Sequence, residues 1–230
     1  KTTQEICAEY DVFLMLHEIA AFYISPLAAV HCMELAEKFQ LAETRRQKFA
    51  VNLQMANTLN NQLAHHAALL GYNRNTLPLY AMGFDPQDIP PSLHMDAAQF
   101  DVLAQHGLEP QKYMTVHDGW DAELTAPGAR ATKAWLPQHW AEFVRLFKAA
   151  HPEIKIVQLG SSASGADIPG VDVNLRGKTH IAQVLAVIKQ ARLHVDTESG
   201  LVHFARALHV RSVVLFGPTN ANFFGYARNV

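Results

Sequence analysis

Apolar residues repeat along this chain at two periods, and the change of period divides it. Residues 12–16 form an unbroken apolar run that suits a buried strand, and residues 26–39 carry Leu27, Val30, Leu35 and Phe39 at mixed helical spacing. Residues 44–70 continue the helical period, with Phe49, Leu53, Ala56, Leu59, Leu63 and Leu70 on one broad stripe. Between 71 and 93 prolines, glycines and asparagines break both periods, which predicts a long loop or interdomain linker. A helix is predicted over 95–106, closed by a left-handed cap at Gly107.

Beyond that point strands and helices alternate. Residues 113–116, 154–159, 193–195 and 212–216 read as strands, while 138–150, 180–192 and 200–208 read as helices. Trp140, Phe143, Val144 and Phe147 stand at i, i+3, i+4 and i+7 in the first of these helices, and Ile181, Val184, Leu185 and Ile188 line the second. Such alternation implies parallel strands joined by right-handed crossovers, so the second half is expected to be a doubly wound α/β unit.

Composition narrows the class. Of 230 residues 49% are hydrophobic and 17% charged, and 19 Lys+Arg against 21 Asp+Glu leave a net charge of −2 with histidine neutral. Disordered and fibrous classes are excluded, and the length suits one large domain or two small ones. Without a basic run, nucleic acid is not an expected partner. Two cysteines, Cys7 and Cys32, make neither a disulfide framework nor a metal knuckle, so a reducing cytoplasm is expected. The apolar stretch 12–33 is interrupted by His17, Glu18, Pro26 and His31, which argues against a membrane-spanning helix and leaves peripheral contact with an inner membrane open. Residues 1–10 lack the apolar core of a signal peptide, and a chain opening on Lys1 reads as processed or as a piece of a longer protein.

Ligands of open parallel sheets sit outside the carboxyl ends of the strands. The loops expected there are His117-Asp118-Gly119, Gly160-Ser161-Ser162, Asp196-Thr197-Glu198-Ser199-Gly200 and Gly217-Pro218-Thr219. Glycine and hydroxyl residues let backbone N–H groups approach an anion at a helix N-terminus. Ser199 and Gly200 open a helix that also carries His203; ordinary helix capping explains the same residues. Glu198 would repel a phosphate and suits sugar or ribose hydroxyls. Lys133 suits a point charge on a diphosphate, with a solvated lysine as the plain alternative. Trp135 and Trp140 suit packing. The 13 histidines show no H-E-x-x-H, and His65 and His66 point to different sides of a helix, so no metal is expected. Motifs of dehydrogenases, P-loop enzymes and α/β-hydrolases are absent from the sequence.

The runs Thr179-His180-Ile181-Ala182-Gln183-Val184-Leu185, Glu198-Ser199-Gly200-Leu201-Val202-His203-Phe204-Ala205-Arg206-Ala207-Leu208 and Leu215-Phe216-Gly217-Pro218-Thr219 resemble the C-terminal half of the family 9 glycosyltransferases, the ADP-heptose:lipopolysaccharide heptosyltransferases and their relatives. Lys133-Ala134-Trp135, with Pro137, resembles the family's K-x-W-P segment, and Leu159-Gly160-Ser161 its strand-end glycine loop. The resemblance covers about residues 112–226. It implies an α/β, GT-B-like fold of two Rossmann-like domains: an acceptor-side domain over 1–108, incomplete at its first strand-helix unit, and a nucleotide-sugar-binding domain over 109–230. Donor contacts would come from Lys133, Gly160, Ser161, Glu198, Ser199, Gly200, His203, Gly217, Pro218 and Thr219. The implied reaction is inverting, metal-independent and cofactor-free transfer of a sugar, with ADP-heptose the expected donor, to an envelope glycan or protein acceptor. The sequence departs from the family at Glu198, where Asp is usual and nearby Asp196 is a candidate substitute. It departs again at Asp118-Gly119-Trp120, where small hydroxyl residues are usual, and no G-D-x-hydrophobic loop supplies a general base. A GT-B nucleotide-sugar epimerase and a non-catalytic nucleotide-sugar-binding relative are the alternative readings.

Overall fold

The structure, a computed structural model, describes residues 9–10, 12–17, 19–54, 61–81, 84–85, 87, 92–120, 131–163 and 165–226, the side chains of 12–22, 46–54 and 61–63 excepted. The chain divides into two compact units, residues 1–89 with 220–224, and residues 90–219 with 225–230.

In the first unit β1 (Val12–His17) and β2 (Ile19–Ile24) pair antiparallel, Val12 opposite Ile24 and His17 opposite Ile19. The strand expected over 12–16 is therefore half of a hairpin whose second strand the sequence reading did not separate. Ser25 caps α1 (Pro26–His31), accepting a hydrogen bond from Ala28 N at 3.1 Å, and Pro26 occupies the first helical position, where a missing N–H is harmless. The helix expected over 26–39 breaks at Cys32, and α2 (Met33–Gln54) starts anew. Residues 55–60 lie outside the described residues, as do the side chains of the predicted stripe at Phe49, Leu53, Ala56, Leu59 and Leu63. After α3 (Asn61–Leu69), the stretch read as linker holds α4 (Thr76–Ala81). Asn73 Oδ1 accepts from Asn75 N and Thr76 N at 2.9 and 3.0 Å, and Pro78 falls in the first turn, where a helix tolerates proline. Ala64, Ala67 and Leu77 bury with Phe223 of α9 (Ala221–Phe224).

The second unit begins with a 3-10 turn (Ala97–Phe100) leading into α5 (Asp101–Gln105), in place of one continuous helix, and Gly107 takes the predicted left-handed conformation at φ 58°. The elements that follow are β3 (Tyr113–His117), α6 (Pro137–Ala150), β4 (Lys155–Gln158), β5 (Val173–Asn174), α7 (Ile181–Gln190), β6 (Leu193–Thr197), α8 (Gly200–Ala207) and β7 (Ser212–Leu215). The strands form one five-stranded sheet in the order β5-β4-β3-β6-β7, with every pair parallel. The α/β class read from the alternation is thus observed. Two-residue β5 is too short to leave a period in the sequence.

Each face of the sheet packs its own core. Tyr113, Val157 and Leu159 bury against Val184, Val187 and Ile188 of α7 and against Val102 and Leu103 of α5. That packing draws residues 90–108 into the second unit, although the sequence boundary was set at 108/109. Met114, Val116, Ile156 and Val195 bury on the other face against Trp140 and Val144 of α6. Trp140 is 1% exposed and meets Trp135 edge-on at 5.1 Å, the packing role expected of both.

Candidate functional site

The strand order reverses between β3 and β6, since β3 leads outward to β4 and β5 while β6 leads to β7. Open parallel sheets hold ligands at such a switch point, outside the carboxyl ends of the strands. A cavity of about 330 Å³ lies there in the second unit. His117, Gly160, Ser161 and Gly200 supply its polar lining along with Thr179, and Ile181, Val184, Leu201 and Phe204 its apolar wall. That mixture suits a ligand with one flat apolar part and one polar or anionic part.

Beneath the cavity the two central strands carry polar side chains on one face. Thr115 pairs with His194 and His117 with Asp196 across the β3–β6 register. All four are buried, Asp196 at 0% exposure. His117 Nδ1 lies 2.9 Å from Asp196 Oδ1 and 3.1 Å from Ser199 Oγ; Ser199 Oγ donates to Asp196 Oδ2 at 2.5 Å and accepts from Leu201 N at 3.2 Å. His194 Nε2 lies 3.3 Å from Asp196 Oδ2, and its Nδ1 lies 2.8 Å from Thr115 Oγ1. The Ser199 proton is committed to Asp196, so the network assigns a proton to His117 Nδ1. Burial works against charge on His117, but Asp196 beside it overrides that effect and holds the imidazole above the ordinary histidine range. Burial likewise opposes ionisation of Asp196, yet His117 and His194 keep its carboxyl below the usual range. Burial pushes Asp118 up instead.

Two glycines make this arrangement possible. A Cβ on Gly119 would lie 2.3 Å from Ser199 Cβ and 2.9 Å from His117 Cε1, while Gly119 N donates to Thr197 Oγ1 at 2.7 Å. Gly160 has φ 137°, and a Cβ there would lie 3.3 Å from His117 Nε2.

The residues singled out from sequence fall into three groups. Gly160, Ser161 and Gly200 line the cavity, and Ser199 anchors α8 to the buried network. Lys133 pairs with Glu198, whose Oε2 also accepts from Thr219 Oγ1 at 3.2 Å, and a Cβ on Gly217 would stand 2.8 Å from Thr132 O, with Pro218 exposed beside it. His203 hydrogen-bonds to the Tyr226 hydroxyl and meets that ring edge-on. Asp196, the candidate substitute for the family's Asp, is wholly buried under Ser199 and His117. Sequence reasoning missed His117, His194 and Thr115 as a unit. The signal was present in the period-two polar positions of YMTVH and LHVDT, which a fully covered parallel strand ordinarily fills with apolar residues. Among the described residues, no group of three or more His, Cys, Asp or Glu is arranged to hold a metal ion.

A parallel sheet of this order with a pocket at its switch point defines an α/β protein of the doubly wound kind. The family model for glycosyltransferase family 9 (heptosyltransferase) matches residues 3–229, and the chain belongs to that family. It is 23% identical over 234 residues to lipooligosaccharide heptosyltransferase 2 of Haemophilus ducreyi, covering 82% of this chain and 66% of the relative. The glycosyltransferase family 9 structure from Veillonella parvula aligns with TM-score 0.53 and 17% identity over 69% of this chain and 47% of that one. Escherichia coli ADP-heptose lps heptosyltransferase II aligns with TM-score 0.48 and 21% identity, over 70% and 49% respectively. The chain thus spans just under two thirds of the curated relative and about half of the solved structures. The Veillonella likeness places the fold among the GT-B-like proteins of the family.

Proposed function

We propose that this chain forms the donor-binding part of a glycosyltransferase that moves a sugar from a nucleoside diphosphate to an envelope glycan or protein acceptor. The observation that carries the reading is the switch-point cavity, where an apolar wall for a base adjoins Gly160, Ser161 and Gly200 for phosphates. Heptose, with ADP as its carrier, is the proposed sugar because the similar proteins are named for heptosyl transfer. An acceptor hydroxyl oxygen attacks the anomeric carbon from the face opposite the diphosphate. The anomeric C–O bond breaks with its electron pair on the β-phosphate oxygen, the hydroxyl proton passes to solvent, and the configuration inverts. Positioning and charge stabilisation of the leaving group lower the barrier, with no metal in the proposal; turnover unchanged by EDTA is the expected result.

The geometry disfavours serine nucleophile chemistry, because Ser199 and Asp196 share the same histidine nitrogen, Nδ1, and no relay runs through Nε2. Product analysis with a UDP-sugar and no acceptor separates transfer from the epimerase reading. No described helix is long and apolar enough to cross a membrane; a cytoplasmic enzyme touching the inner membrane peripherally is the proposed setting. Leu27 and Val30, 65% and 74% exposed, are the apolar residues offered for such contact.

Isothermal titration of ADP, UDP and GDP and their sugars against this chain and Ser199→Trp tests the reading. Binding by the wild-type chain and its loss in the variant are expected. Binding of none of these ligands, or equal binding by both chains, overturns the site.

A further inference from the structure

We propose that His117 is the residue that brings positive charge to the donor's diphosphate, and that the buried Asp196 is the positioning residue that holds it in place for this task. The inference rests on the donor-site reading above and goes beyond it, since neither residue was among the expected donor contacts.

Three geometric observations carry it. First, His117 lines the cavity at the end of β3, and its Nε2 faces the Gly160 loop, where anything larger than glycine would press on the ring. Second, Nδ1 is fixed from behind by both Asp196 and Ser199, so the ring cannot turn its other nitrogen away from the cavity. Third, Asp196 is fully buried and accepts from Ser199 Oγ, while His117 and His194 both present ring nitrogens to it. A buried carboxylate needs a compensating positive charge, and the imidazole is the group placed to carry it. With Nδ1–H spent on Asp196, a protonated His117 turns a single N–H toward the cavity. A charged donor of that kind suits a diphosphate oxygen, and it strengthens as charge builds on the oxygen while the anomeric bond breaks. No proton needs to be transferred.

The other charged groups around His117 are consistent with this role. Asp118 follows it on the same loop and adds negative charge, and His194 lies behind Asp196. Arg176 sits beside Gly160, but its guanidinium is engaged by Asp167 and by the carbonyls of Ser162 and Gly165. From α7 the cavity receives only apolar Ile181 and Val184.

The test compares ADP with adenosine, which lacks the diphosphate, on the wild-type chain, His117→Asn and Asp196→Asn across pH 5.5 to 8.5. Asparagine at 117 keeps a donor near the Nδ1 position and removes the charge. At pH 7.5 ADP binding is expected to weaken by roughly tenfold or more in both variants, the usual range for a lost charge-assisted bond, with adenosine binding unchanged. In Asp196→Asn, ADP binding should recover toward pH 5.5, because an unpaired histidine still protonates there; a purely structural role for Asp196 predicts a pH-independent loss. Should either variant fail to fold, NMR titration of wild-type His117 decides: ADP must raise its pKa and shift its Nε2 resonance. Wild-type binding of ADP with no change in His117→Asn, or no response of His117 to ADP, overturns this inference and leaves the donor site standing. Failure of wild-type to bind any nucleoside diphosphate overturns both.

Discussion

Replacing Gly119 with alanine should damage the second unit out of proportion to one methyl group. The added Cβ would fall 2.3 Å from Ser199 Cβ, 2.8 Å from Ser199 Oγ and 2.9 Å from His117 Cε1, where 3.4–4 Å is ordinary contact. Neither neighbour is the loose end of a side chain. Ser199 is held by Asp196 and Leu201 N, and His117 by Asp196. Moving Ser199 by the required distance removes a helix N-cap, about 1 kcal/mol, and a hydrogen bond to a buried carboxylate, about 1.5 to 3 kcal/mol. The sum is roughly 2 to 4 kcal/mol, a large share of a total stability of about 5 to 15 kcal/mol. All three tryptophans, Trp120, Trp135 and Trp140, belong to the second unit, so their fluorescence in a urea titration reports that unit. With a urea slope of about 2 kcal/mol/M, the midpoint should fall by roughly 1 to 2 M at unchanged slope. Gly200→Ala is the control, because nothing lies within 4 Å of its Cβ position. Its midpoint should stay or rise slightly, as alanine favours helix over glycine. A folded Gly119→Ala chain with the wild-type midpoint, or an equal fall in Gly200→Ala, would refute the close-packing argument.

Lys133→Met strands a Glu198 carboxylate that is 5% exposed, with Thr219 as its remaining side-chain partner among the described residues, and should lower the urea midpoint by about 1 to 3 kcal/mol equivalent; Glu198→Gln in the same chain should restore most of it. Folding lowers the Asp196 pKa and raises that of His117. Asp196 therefore contributes fully above its unfolded value of about 3.9 and loses that contribution as pH falls through its lower folded value. His117 contributes fully below about 6.5 and loses that contribution as pH rises through its higher folded value. The urea midpoint should thus be greatest between those unfolded values and decline on the alkaline side, and Asp196→Asn should flatten the alkaline decline. Thr179 Oγ1 is buried in the cavity wall with no hydrogen-bond partner among the described residues. Thr179→Val should therefore leave the midpoint unchanged or raise it by up to about 1 kcal/mol equivalent, and a fall in calorimetric affinity for adenosine would assign the hydroxyl to the nucleoside.

The second unit was legible because its physics is local and repetitive. Helices α6 and α7 each place an apolar stripe on one side, and buried strands read as short apolar runs, so alternation alone gave the parallel sheet. The first unit resisted for equally specific reasons. The stretch from 12 to 24 contains two strands with only residue 18 between them, and its one polar break, His17-Glu18, lacks the glycine, proline or asparagine that marks a hairpin turn in a sequence. Pro78 reads as a breaker until Asn73 is seen to start a helix just ahead of it. At the site, the glycine and hydroxyl loops were found because backbone access to anions has a compositional mark. The histidine network was not, since residues 117 and 196 are brought together by strand register and not by sequence spacing.

That register also explains why polar residues occupy the centre of a sheet covered on both faces. Tyr113, Thr115 and His117 alternate down one face of β3, beside His194 and Asp196 on β6, while Met114, Val116 and Val195 fill the opposite face. Apolar residues of similar size at these positions would ordinarily hold the sheet as well or better, because burying a charge pair rarely adds stability. The Tyr113 hydroxyl is satisfied by Val187 O at 2.6 Å and explains only itself. The remaining four groups form one chain, from Thr115 through His194 and Asp196 to His117, and it ends at the cavity. A polar chain that runs through a core and stops at a ligand pocket has its exposed end as its reason, since only there does a fixed charge meet anything but protein. The conflict between strand burial and polar sequence is thus where the fold gives up packing for a preorganised charge.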